Sequence, residues 1–183
     1  MKLFEFKNYR LAIADEAYLL KPFKVIWDRD KSKDKNKALM ELGYIYFFVD
    51  PRSDYQYIID EKERGRAICE GEGISEWFKL DKEIQSAIDF YKTFKSMSSL
   101  LLDDTRVAID KVRKFLRDID LSLLDDKGKP VYSINSITST IKMIPQLVKD
   151  LNEAERATNK EIMEEGRMKG GGEKSIFEDD LNA

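Results

Sequence analysis

The sequence predicts an all-α fold: an irregular helical bundle with at least three long helices and a flexible C-terminal tail. Three observations carry that prediction. Apolar residues recur at three- and four-residue spacing through about 81–101, 104–121 and 136–164, the period of a helix with one buried face. Cap-forming residues stand where those stretches open, among them Asp81 and Ser136. Loop chemistry separates them, in DDKGKP (Asp125 to Pro130) and KGGGEKS (Lys169 to Ser175). Residues 1–168 therefore read as a helical body and 169–183 as a glycine-linked tail.

Residues 1–31 read as an N-terminal arm plus short helices. Leu11, Ala14, Ala17 and Tyr18 fall on one helical stripe, and Pro22 opens a further short helix carrying Val25 and Ile26. Ser32 or Asp34 is positioned to cap the next helix. There the Lys/Asp block Asp28–Lys37 feeds into the apolar run Tyr44–Val49. Polar and apolar residues are thus separated end to end instead of face to face. This predicts an element whose start is solvated and whose far end is buried on all sides, in the core or against a partner. Ala38, Leu39, Leu42, Ile45, Tyr46 and Val49 keep helical spacing, although YIYFFV alone also suits a buried strand. Pro51 ends the element.

Residues 53–70 read as a helix with Ser53 or Asp54 as cap, weakened by Gly65, and GEGISEW as a turn. Asp81 then caps a helix bearing Ile84, Ala87, Ile88, Tyr91, Phe94 and Leu101 on one face. A second helix from about Thr105 carries Val107, Ile109, Val112, Leu116 and Ile119. A long helix starts at Asn135 or Ser136 and runs to about Met163, with a kink expected at Pro145.

Composition removes much catalytic chemistry. The chain has no histidine, which excludes His-dependent triads and the commonest general base and zinc ligand. One cysteine, Cys69, permits no internal disulfide and fits a reducing compartment. Charged residues reach 37% yet nearly cancel, at a net −3, against the basic surplus of non-specific nucleic-acid binders. The start MKLFEFKNYR lacks the apolar core of a secretory signal, and no apolar run approaches a membrane span. A soluble protein made in the cytosol is expected, with no membrane partner.

No motif assembles a catalytic, cofactor-binding or metal site, and none is expected. Asp28, Asp30, Ser32 and Asp34 mimic the first ligands of a calcium loop, but Lys33 and Leu39 occupy the positions that need glycine and a bidentate Glu. Gly71 and Gly73 make a turn, not a dinucleotide fingerprint. Asp103/Asp104 and Asp125/Asp126 flank predicted helix ends, where aspartate is routine. Lys111, Arg113, Lys114 and Arg117 scatter around their helix as surface charge. Phe47 and Phe48 lie off the helical stripe, so they are either wrapped by this chain or presented to another. Candidate interface residues are accordingly Phe47 and Phe48 as an apolar centre, with Lys31, Lys33 and Lys35 as part of a charged rim. Ile176 and Phe177, beside Glu178–Asp180 and behind a glycine linker, form a candidate docking peptide.

The block Arg29–Tyr55, RDKSKDKNKALMELGYIYFFVDPRSDY, resembles a segment of virion proteins of large tailed bacteriophages. It is most similar to the neck (head-to-tail connector) ring proteins of crAss-like phages. The RDKSKDK start, the YIYF core, the D-P-R-S-x-Y ending and Glu63-Arg64 carry the resemblance. It is firm over about Phe23–Ile68, loose over the central helices and absent from the glycine-rich tail. The resemblance implies a non-enzymatic virion subunit, repeated as a homo-oligomeric ring below the portal. Portal and other neck or tail proteins are its implied partners, with passive proximity to phage DNA. The alternative is a soluble helical phage accessory or regulatory protein binding protein partners or DNA, for which the basic block Arg29–Lys37 speaks. A carboxylate-metal nuclease ranks third.

Overall fold

The computed structural model describes residues 3–7, 10–74 and 78–170. Among these the chain forms six α-helices and one two-stranded hairpin, so the fold is all-α. It divides into two compact units, residues 1–95 and 96–183, where the sequence suggested a single body to residue 168.

The first unit opens with strands β1 (Phe4–Lys7) and β2 (Arg10–Ile13), paired antiparallel with Phe4 opposite Ile13 and Phe6 opposite Leu11. This corrects the expected helical stripe. Leu11 belongs to a strand, while Ala17 and Tyr18 belong to a 3₁₀ turn over Asp15–Leu19. The sequence Phe4-Glu5-Phe6-Lys7 alternates apolar and charged residues with the period of a half-buried strand. Helix α1 (Lys21–Arg29) does open on Pro22 and buries Phe23 and Ile26.

Helix α2 (Asn36–Val49) begins exposed, and every residue from Glu41 onward is buried. The end-to-end segregation therefore places this helix as the central column of the unit, with α1, α3 and α4 against it. Its N-terminus is capped in an unexpected way. Neither Ser32 nor Asp34 does it; Asp30 reaches back, its carboxylate accepting from the amides of Ser32 (2.9 Å) and Ala38 (3.0 Å). Lys35, in the left-handed region at φ 53°, turns the chain between that loop and the helix.

Helix α3 (Glu61–Gly71) is capped by Asp60, which accepts from the amides of Lys62 and Glu63. Gly65, expected to weaken a helix here, serves packing: a Cβ at this position would lie 2.8 Å from the Tyr44 hydroxyl. Helix α4 (Lys82–Lys92) starts at the predicted cap Asp81 and buries Ile84, Ala87, Ile88 and Tyr91. It stops well short of residue 101. Thr93 Oγ1 donates to the Phe90 carbonyl at 2.7 Å, and Ser96 caps a new helix. Phe94 and Leu101, expected on the core face, are exposed in consequence.

The second unit pairs α5 (Met97–Asp118) with α6 (Ile134–Gly170). Helix α5 thus starts earlier than expected, and α6 runs through Pro145. Between them Asp125 organises the predicted loop, accepting from the amides of Lys127 and Lys129 while Gly128 takes φ 71°. The facing residues repeat by three and four. On α5 they are Leu102, Thr105, Ile109, Val112 and Leu116, and on α6 Ile137, Thr140, Ile144, Leu147, Leu151, Ala154 and Thr158. That is the seam of an antiparallel helical pair. Arg106–Glu155 (3.2 Å) and Ser98–Glu161 (2.6 Å) fix its register.

Candidate interaction surface

The residues proposed from sequence as an interface do not come together. Phe47 and Phe48 are 8% and 6% exposed, enclosed by their own chain. Phe48 stacks on Tyr44 with ring centroids 5.7 Å apart, and Arg64 and Lys92 both stand 5.7 Å over its ring. Phe47 packs edge-on against Tyr46 and Tyr55. As an exposed apolar centre they are thus corrected. The physical reason is that α2 is surrounded, so residues off one stripe are buried by other helices. Lys31 and Lys33 are exposed on the α1–α2 loop. Lys35 is half-buried and occupied within the chain: its Nζ donates to the carbonyls of Trp27 and Asp30 and stands 5.4 Å from the Trp27 ring centroid. Ile176 and Phe177 lie outside the described residues.

The D-P-R-S stretch proves to be architecture. A helix leaves its last carbonyls without intrahelical partners, and at the C-terminus of α2 these lie in the core. Ser53 Oγ donates to the Phe47 carbonyl (2.7 Å), Gln56 Nε2 to those of Phe47 (3.2 Å) and Phe48 (3.0 Å), and Arg64 to that of Phe48 (3.2 Å). Asp50, 1% exposed, is held by Arg52 through two hydrogen bonds (2.7 and 2.6 Å) and by the Tyr91 hydroxyl (2.5 Å). Arg52 also donates to the Phe4 carbonyl, tying β1 to the end of α2. Burial, then the Asp50 charge, pushes the Tyr91 phenol well above its usual range, so it stays protonated and donates. A second knot forms on Arg29, which bridges buried Glu41 (3.0 Å) to Asp81 and Glu83 (2.6 Å each) and so clamps α1, α2 and α4. Both knots leave their charges paired, as burial requires.

Chemical candidates are equally occupied. Burial and then Glu70 push the Cys69 thiol up, away from the reactive thiolate. Among the described residues no acidic or cysteine cluster is arranged to share a metal ion, and no helix is long and apolar enough to cross a membrane.

Among the described residues most of the exposed large apolar side chains lie in the second unit. Among its described residues Leu102 is the one large apolar side chain that is buried, and a pair of helices cannot enclose a core of its own. Ile134, Ile141 and Val148 recur every seven residues on α6, just outside the seam, and are 76%, 52% and 44% exposed. Beside Val148 runs a groove of about 370 Å³ with Ile109, Val112, Leu116, Ile144 and Leu147 along its floor. Arg113 and Arg117 border it. Sequence reading missed this surface. Its signal is that α6 carries two adjacent heptad stripes, Ile137/Ile144/Leu151 and Ile134/Ile141/Val148, where one partner helix needs one. Comparison with family models, curated proteins and solved structures finds no match to this chain.

Proposed function

We propose that this protein is a structural subunit that assembles with other copies of itself, and that its place is a ring of a bacteriophage head-to-tail connector. The observation that carries the reading is the uncovered apolar flank of the α5–α6 pair. An exposed apolar surface of this extent on a folded chain marks an association site. A ring subunit needs heterologous side faces, in which one patch meets a different patch on its neighbour. The similarity of Arg29–Tyr55 to neck ring proteins supplies the setting. The polar knots explain why that segment has its unusual composition without invoking catalysis, so a non-enzymatic role fits. The DNA-binding alternative loses one of its basic residues, because Lys35 is engaged with its own backbone.

Native mass spectrometry of the full chain, alone and with a portal protein, tests the reading. A discrete closed oligomer, or a defined complex with the portal, is expected. A chain that remains monomeric at tens of micromolar and ignores the portal overturns it.

A further inference from the structure

We propose that the groove between α5 and α6 receives the tail of a second copy, with Ile176 and Phe177 in the apolar channel and Glu178–Asp180 against Arg113 and Arg117. The inference rests on the self-assembling reading above and names the contact that would carry it. Three properties of the chain select this occupant. The groove has an aliphatic floor of Ile109, Val112, Leu116, Ile144, Leu147 and Val148, which takes an apolar side chain and no charge. Its border carries Arg113 and Arg117; Arg113 pairs with Asp110 at 3.1 Å yet its side chain is 64% exposed, so an acidic ligand meets opposite charge at the rim, where pairing sets register. The tail presents an aliphatic–aromatic pair followed directly by three acids, IFEDD, and so matches both.

Reach then decides which copy supplies the tail. Helix α6 continues to Gly170, 22 residues beyond Val148, which is about 33 Å along a helix axis. Ile176 and Phe177 follow six and seven residues after Gly170, and seven extended residues span at most about 25 Å. The pair cannot fold back into its own groove. A neighbouring chain's groove has no such limit, and because tail and groove are different patches the contact is heterologous. Repeated, it closes into a ring or continues as a filament.

The test uses full-length chains. A dye-labelled peptide of residues 170–183 is titrated by fluorescence anisotropy into the chain carrying Ile176→Asp and Phe177→Asp, whose own tail is disabled. Saturable binding is expected. Adding Arg113→Glu and Arg117→Glu should weaken it at least tenfold, and a peptide with Glu178, Asp179 and Asp180 changed to Lys should recover on that reversed groove. Absence of saturable binding, or equal affinity for native and reversed grooves, overturns the proposal. Circular dichroism confirms that the variants fold, and Val148→Asp, which blocks the floor without touching the rim, gives an independent second variant that must also lose the peptide. Mixing supplies the trans criterion. Tail-disabled and groove-disabled chains should each sediment as monomers and together form a dimer; a mixture that stays monomeric overturns the proposal. The ring reading fails separately. Closed oligomers persisting in the tail-disabled chain would remove tail docking and leave the ring standing, whereas peptide binding without any closed oligomer would do the reverse.

Discussion

Asp30 shows how one carboxylate sets the start of the central helix. The Ser32 hydroxyl and the amides of Ala38 and Ser32 hold its carboxyl at about 2, against about 3.9 for an aspartate in an unfolded chain. The folded protein therefore binds this proton less readily than the unfolded one. The resulting stabilisation is complete above about pH 4 and is lost as the pH falls through about 2. The stability gap between wild type and Asp30→Asn, followed by urea midpoints, should narrow steadily from about pH 5 to about pH 2. A gap independent of pH would show that the cap acts without its charge. Phe48 makes a second case at this scale. Enclosed by Tyr44 and the Arg64 and Lys92 cations, it should cost the isolated chain about 3–5 kcal/mol on truncation to Ala. An unchanged melting curve would return Phe48 to the interface that the sequence suggested.

At the scale of the element, the two units respond differently to the same kind of change. Ile88 on α4 is fully buried, so Ile88→Ala should cost about 2–5 kcal/mol. Ile141 on α6 is half-exposed, so Ile141→Ser should stay within about 0.5 kcal/mol while reducing self-association in sedimentation. If Ile141→Ser destabilises as much as Ile88→Ala, that flank is covered within the chain. This contrast also marks how far the sequence can be read. Helix α2, its burial gradient, the cap Asp81 and the stripe Ile84–Ile88–Tyr91 were legible, because local period and local caps determine them. The β-hairpin was legible in the alternation of Phe4 to Lys7 but was obscured by a competing helical stripe. The break at Thr93–Ser96 was hidden for a different reason: Ser96 is both a tolerable interior helix residue and a strong cap, and only the packed structure decides. The longest links of the knots on Asp50 and Arg29 join residues 41 to 54 positions apart, distances over which no sequence period speaks.

For the whole molecule, the distribution of burial points to a division of labour. The first unit completes its own core, whereas the second leaves apolar flank and groove open. Removal of residues 171–183 should leave the melting temperature of the isolated chain within about a degree, since the tail is proposed to dock on a neighbouring copy and changes outside a chain's own core are close to neutral. The same truncation should abolish the concentration-dependent rise in sedimentation coefficient. A truncated chain that associates like the full one would place the self-contact elsewhere on the flank. Arginine–carboxylate contacts at an exposed rim are screened by salt, so association should also weaken between about 50 and 500 mM sodium chloride.

The knot that joins Phe4, Asp50, Arg52 and Tyr91 has a consequence in time. Its members come from the first strand and the fourth helix, and Tyr91 reaches Asp50 across 41 positions. Such contacts repay their loop-closure entropy only once the intervening chain is in place. During synthesis the unit cannot lock until α4 has left the ribosome, and β1, though β2 follows it at once, waits for Arg52 and Tyr91 to be made. A group that pairs after the rate-limiting step affects escape from the native state more than entry to it. Tyr91→Phe, which removes only the hydroxyl, should therefore accelerate unfolding in stopped-flow measurements and leave the refolding rate nearly unchanged. Slower refolding with unaltered unfolding would mean that this knot is tied first.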